Sequence, residues 1–158
     1  MNELNIQNFY EKLDNKDKSK LNITGLIDKE DIHYRYKMNK LNINNLRNKI
    51  EIDNLNLICK DINRDPKYLI EFFKIKFATS FIFKNGRLST TKNINYIEFE
   101  LALKEFIEYF VICPVCRLPE TEIKISKEIT LFCKCCPYNG KLNPKNKIAE
   151  KTLKIFKK

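Results

Sequence analysis

Apolar positions along this chain form helical stripes separated by short alternating runs, so helices and strands are both expected. Ile6, Phe9, Tyr10 and Leu13 share one helical face, and a polar run over 15–20 follows. That pattern predicts a short amphipathic helix and a linker. A lone helix of this length is marginal in water, so its stripe is expected to dock on the chain's own core or on a partner. Lys49, Ile50, Glu51 and Ile52 alternate as a strand, and Leu55, Ile58, Cys59 and Ile62 then share a helical face. Arg64-Asp-Pro66 reads as a helix start, because Asp65 can cap free N–H groups and Pro66 suits the first turn. The helix behind it is expected to bury Leu69, Ile70, Phe73 and Phe77. Residues 79–83 and 87–91 flank Asn85-Gly86, a strong two-residue hairpin signal. A longer helix over 95–110 presents Phe99, Ala102, Leu103, Phe106 and Ile107 to one side. Further on, Glu122, Lys124, Ser126 and Lys127 alternate with Ile123, Ile125 and Ile129, the pattern of a hairpin with one wet face.

These elements imply an α+β fold, with helices packed on an antiparallel sheet and a smaller unit behind them. The expected layout is an amphipathic helix and linker over 1–20 and a central domain over 21–110 with a mobile N-terminal segment. The smaller unit follows over 111–143, then a basic tail over 144–158. No flexible linker precedes the smaller unit, since neither Gly nor Pro interrupts 108–113, so a semi-rigid attachment is expected. The aromatics read as core, and nothing suggests a cofactor pocket.

The smaller unit has too few apolar residues for a core of its own, and cysteines change the picture. Cys113-Pro-Val-Cys116 and Cys133-Lys-Cys-Cys136 are two knuckles with residues 117–132 between them. Each turn can aim two thiolates at one point, and two such turns complete a tetrahedron around a structural Zn²⁺. The metal would then supply the folding free energy that the core cannot. Disulfides are the competing reading, but Met1-Asn-Glu-Leu-Asn-Ile6 does not resemble a secretory leader, so a cytoplasmic, reducing setting is expected. Cys135 could substitute as a ligand, although Cys133 and Cys136 match the first knuckle and leave it a bystander. Cys59 reads as core. A catalytic zinc usually needs histidine and an open position, and the only histidine is the distant His33. No Ser/His or Cys/His dyad and no phosphate-binding glycine loop is evident, so an enzyme is not expected.

The formal net charge of +10 points towards a polyanionic partner such as nucleic acid. Part of it reflects composition, since lysine outnumbers arginine 25 to 5 and Asn and Ile are also abundant. Placement is more telling: seven lysines and one acid, Glu150, fall between Lys141 and Lys158. This tail is either simply solvated or faces RNA or a ribosome. Arg117, Lys124, Lys127, Lys134 and Lys141 could form a nucleic-acid-binding rim on the ribbon, or merely be solvated. No apolar run approaches the length of a membrane span.

The segment Arg64-Asp-Pro-Lys-Tyr-Leu-Ile70, with Ala78-Thr-Ser80, Asn85-Gly-Arg-Leu88 and Phe110-Val-Ile-Cys-Pro-Val-Cys116, resembles the beta subunit of archaeal and eukaryotic translation initiation factor two. The same domain and ribbon occur in the N-terminal half of initiation factor five, which it also resembles. The resemblance covers roughly residues 33–150 and implies a translation initiation factor. In the beta-subunit branch, Phe9, Tyr10 and Leu13 would dock on the GTPase gamma subunit, and the domain and ribbon would face initiator tRNA, mRNA or the small ribosomal subunit. Shortness and the spacing from Arg64 to Ser80 favour that branch. Tyr34-Arg-Tyr-Lys-Met38, Pro119-Glu-Thr-Glu122 and the stretch from Gly140 favour factor five, whose large C-terminal helical domain is not evident here. Two departures stand out: Asn39 replaces a family proline, and Ala78 and Phe81 replace glycines flanking Thr79-Ser80.

Arg35 distinguishes the branches. The resemblance to factor five implies that it stimulates GTP hydrolysis on factor two, a guanidinium supplied in trans to neutralise charge on the transferred phosphoryl group. That role needs an exposed segment, and residues 31–40 are polar and poor in core periodicity. Otherwise Arg35 is a surface arginine among aromatics. A transcription-related zinc-ribbon protein contacting DNA or a polymerase is a third reading, which the upstream domain disfavours.

Overall fold

The computed structural model describes residues 20–26, 33–142 and 146–156. The amphipathic stripe of Phe9, Tyr10 and Leu13 lies outside them. The described chain begins with strand β1 (Lys20–Asn22), which pairs antiparallel with β2 (Lys37–Asn39). β3 (Ile43–Asn45) and β4 (Ile50–Ile52) form a hairpin, then come helices α1 (Leu55–Asp61) and α2 (Pro66–Phe77). A second hairpin, β5 (Ile82–Lys84) and β6 (Arg87–Thr90), inserts β6 against β4, giving an antiparallel sheet of order β3-β4-β6-β5. Helix α3 (Tyr96–Phe110) leads to a three-stranded sheet of β7 (Thr121–Ile125), β8 (Ile129–Cys133) and β9 (Asn139–Lys141). Helix α4 (Lys147–Phe156) closes the order.

Local chemistry explains most of these boundaries. The Asp65 carboxylate accepts a hydrogen bond from the Lys67 amide at 3.0 Å and caps α2, with Pro66 at its first position. Asn95 caps α3 by accepting from the Glu98 amide at 2.9 Å. Asn85 and Gly86 both take positive φ, 55° and 75°, as a primed hairpin turn requires. The sheet packs one face against helices whose Phe72, Phe73, Phe99, Phe106 and Phe110 are fully buried and interlock edge to face or tilted. Phe77 is half-buried against this core.

Some expected boundaries move. The strand expected over 79–83 begins only at Ile82, because Ala78 turns left-handed at φ 50° to end α2 and the chain must then turn back. The segment read as poor in core periodicity contributes Met38, 1% exposed, to the core, opposite Leu21 in the β1–β2 pair. The basic tail also needs correction. Over 147–156 it is helix, with Ala149, Thr152, Leu153 and Phe156 buried against α2 and the lysines turned outwards. Phe156 seats its ring 4.5 Å from Tyr68 and 5.4 Å from Phe110.

Candidate metal centre and the joint beneath it

Helix α3 runs straight into the first knuckle through buried Val111, Ile112 and Cys113. The Arg117 amide donates to the Cys113 carbonyl at 2.9 Å, and the Cys113 amide to the Leu118 carbonyl at 3.0 Å, which folds the turn. The second knuckle closes β8, with the Cys133 amide donating to the Tyr138 carbonyl at 3.0 Å. Together these turns bring the Sγ atoms of Cys113, Cys116, Cys133 and Cys136 within 4.8 Å of one another. Two pairs that cross between knuckles, Cys113 to Cys136 and Cys116 to Cys133, are each 3.6 Å apart.

That spacing is far beyond a disulfide bond and near the ~3.8 Å edge of a tetrahedron with metal–sulfur bonds of about 2.3 Å. The four thiols are therefore positioned to hold a metal ion. Cys135 faces elsewhere, its Sγ donating to Glu120 Oε2 at 2.8 Å. Cys59 is buried in the core, and burial pushes its thiol up to about 12, which leaves it inert.

The ribbon is riveted to the domain by Arg64, which is 7% exposed. Its Nε and Nη2 donate to the Phe110 carbonyl at 3.2 and 2.8 Å, at the end of α3. Nη1 donates to the carbonyls of Asn63 and Thr121 at 2.8 and 2.7 Å, and Nη2 also to Thr121 Oγ1 at 2.6 Å. Thr121 in turn donates its hydroxyl to the Val111 carbonyl. A buried charge is tolerable here because carbonyl dipoles surround it, including one at a helix C-terminus. Burial lowers the guanidinium to about 10, so it stays charged at neutral pH.

A second rivet faces the β1–β2 pair. Arg117 takes the left-handed φ of 63° and forms a bidentate pair with Glu108 at 2.8 and 2.7 Å. Glu108 Oε2 also accepts from the Leu26 amide at 3.3 Å. Gly25 beside it takes a left-handed φ of 71°, with the Glu108 backbone and carboxylate close by, so a side chain there would be strained.

Of the residues expected to face nucleic acid, most have partners of their own. Arg117 is held by Glu108, Lys134 pairs with Glu122 at 2.9 Å, Lys141 with Glu128 at 3.5 Å, and Lys124 lies 5.5 Å from the Phe132 ring centre. Lys127 is exposed in the turn between β7 and β8. They are not gathered into one cluster of unpaired cations. Arg35 is exposed, its guanidinium 5.6 Å from the Tyr36 ring centre. Bonding to Cys135, with some burial, pushes the Tyr36 phenol up, while Cys135 and Tyr36 hold the Glu120 carboxyl below its usual range.

Residues 27–139 match a family model described as the domain found in initiation factors 2B and 5. The chain belongs to this initiation-factor family. It is 34% identical over 132 residues to eukaryotic translation initiation factor 5 of Dictyostelium discoideum, covering 80% of this chain and 34% of that protein. It is 34% identical over 90 residues to translation initiation factor 2 subunit beta of Nanoarchaeum equitans, covering 57% of this chain and 65% of the relative. The Mus musculus factor 5 is 32% identical over 133 residues, 78% of this chain and 31% of its own. The chain thus spans about a third of the length of the factor 5 relatives and just under two thirds of that beta subunit.

Two positions read from the resemblance as departures can now be placed. Asn39 donates its amide and its side chain to Asp61 Oδ2, both at 2.8 Å, and a proline there could not make the first bond. Ala78 occupies a left-handed position that glycine fills without strain. Sequence reasoning missed Arg64 as more than a helix-start marker and missed Glu108 as its neighbouring anchor; it placed Tyr36 among the aromatics around Arg35, as found, but not its contact with Cys135. An arginine immediately before a capped helix start was the one available signal.

Proposed function

We propose that the chain is a non-enzymatic translation initiation factor that acts on the GTPase delivering initiator tRNA to the small ribosomal subunit. Four thiolates suit Zn²⁺, and the ion would be structural, because the donor set is complete without a position for substrate. The observation that carries the reading is the joint, since Arg64 and the Glu108–Arg117 pair fix the ribbon to the domain as one surface. Such a surface suits a factor that must hold one geometry between tRNA and ribosome. No helix among the described residues is long and apolar enough to cross a membrane.

Two ways of acting on the GTPase follow. In the first, the chain is a beta-like subunit that docks on the gamma subunit through Phe9, Tyr10 and Leu13; the beta-subunit relative supports this. In the second, Arg35 reaches the GTPase and stimulates hydrolysis. Its exposure on a packed segment, and factor 5 relatives aligned over about four fifths of the chain, support that reading. Arginine supplied in trans accelerates phosphoryl transfer by about 10³–10⁵-fold in other systems.

Replacing Arg35 with Ala or Lys and following GTP hydrolysis in reconstituted initiation complexes tests the activator reading. A many-fold loss with binding intact is expected, and an unchanged rate would remove it. Capture of the gamma subunit by the chain with and without residues 1–20 tests the other; binding lost on truncation supports the beta-like role.

A further inference from the structure

Tyr36 and the fifth ribbon cysteine have no place in the metal centre, yet they meet. The Tyr36 hydroxyl lies 3.6 Å from Cys135 Sγ, and that thiol donates to Glu120 Oε2 at 2.8 Å. Cys135 sits between the metal-positioned Cys133 and Cys136, and the Glu120 carbonyl accepts from the Lys134 amide at 2.9 Å. The Tyr36 hydroxyl therefore meets the ribbon, while the rest of the residue packs against the α+β core.

Arg35 is suspended between two anchored neighbours. Tyr34 donates its hydroxyl to the Ile23 carbonyl at 3.1 Å, and the Ile23 amide donates to the Tyr36 carbonyl at 2.9 Å. The two tyrosine rings meet edge to face at 5.9 Å, and the Arg35 guanidinium rests 5.6 Å from the Tyr36 ring centre. A free arginine has many rotamers, and a planar platform beside it restricts that freedom before any partner arrives. Placement errors of about 1 Å lower rates by on the order of 10²-fold in oriented reactions, so the platform matters if Arg35 acts on a phosphoryl group.

We propose that Tyr36 is a positioning residue for Arg35, its hydroxyl docked on the Cys135–Glu120 pair so that the ribbon sets where the guanidinium points. This rests on the activator reading given above. Cys135 then has a defined task, which is to be the knuckle's socket for the Arg35 segment.

The test uses the full metal-loaded chain with Tyr36→Phe, which keeps the ring and removes the hydroxyl, and with Cys135→Ala and Cys135→Ser. GTP hydrolysis is measured in initiation complexes carrying the GTP-bound GTPase, alongside affinity for that complex and hydrogen exchange over 33–40. Tyr36→Phe and Cys135→Ala are expected to slow hydrolysis several-fold at unchanged affinity and to raise exchange over 33–40. Cys135→Ser, which retains a donor, is expected to recover most of the rate. In an Arg35→Ala background Tyr36→Phe should add nothing, an outcome that a general loss of structure would not produce. Two different results overturn the proposal. If Arg35→Ala is harmless, the activator reading itself fails. If Arg35→Ala is damaging but Tyr36→Phe is neutral, or its loss adds in full to that of Arg35→Ala, only the positioning role fails.

Discussion

The α+β domain and the ribbon reach a fixed shape by opposite routes. In the domain, rings from α2 and α3 fill a continuous interior: Phe72, Phe73, Phe99, Phe106 and Phe110 are each surrounded by other side chains. Past Val111 and Ile112 at its root, the ribbon buries little beyond Ile129, Leu131, two of the knuckle cysteines, Pro119 and Thr121, so its three strands need a cross-link at one end and an anchor at the other. Four thiols provide the first and Arg64 the second. A region with a core can stand by dispersion and burial alone. One without it depends on a few strong, directional contacts, and losing any of them is local and severe.

Substitutions can break or sharpen that contrast. The largest effect is expected in the domain: Phe106→Ala empties the centre and should destabilise the whole chain by about 3–5 kcal/mol, read from the urea midpoint by circular dichroism. An unchanged midpoint would mean the aromatic interior is not what holds the domain. Arg64→Lys should come next, at about 1–3 kcal/mol. An ammonium cannot serve the Phe110 and Thr121 carbonyls with the same fork. Its signature is regional: exchange should rise in β7 more than in α2, and a uniform rise would contradict the rivet.

The smallest effects sit at two of the left-handed residues, one in each region. Ala78→Gly relieves steric strain of about 1 kcal/mol and should raise the melting temperature. Arg117→Gly gains a similar relief but loses the Glu108 pair, so it should be near neutral or destabilising. Equal stabilisation by both would show that the Glu108 pair contributes nothing.

Local signals made much of this legible. The two knuckles, Asp65-Pro66, Asn85-Gly86 and the stripe of α3 each encode their conformation within a few residues, and the structure places them accordingly. What escaped depends on distant partners. β1 and β2 are three residues each and acquire meaning only when Leu21 meets Met38. The lysine-rich stretch 141–158 disguised α4, although Ile148, Ala149, Leu153 and Phe156 carry the spacing of a buried stripe. Arg64 announced a helix start while its side chain reached across to Phe110 and Thr121, a connection no local pattern contains. The same holds for Tyr36 and Cys135, which lie 99 residues apart.

The division of labour between core and metal is tested most directly by amide hydrogen exchange on the zinc-loaded chain before and after chelation. Protection in β7, β8 and β9 should vanish when the ion is removed, while α2 and α3 keep theirs. Retained protection in all three ribbon strands, or simultaneous loss from the helices, would contradict it.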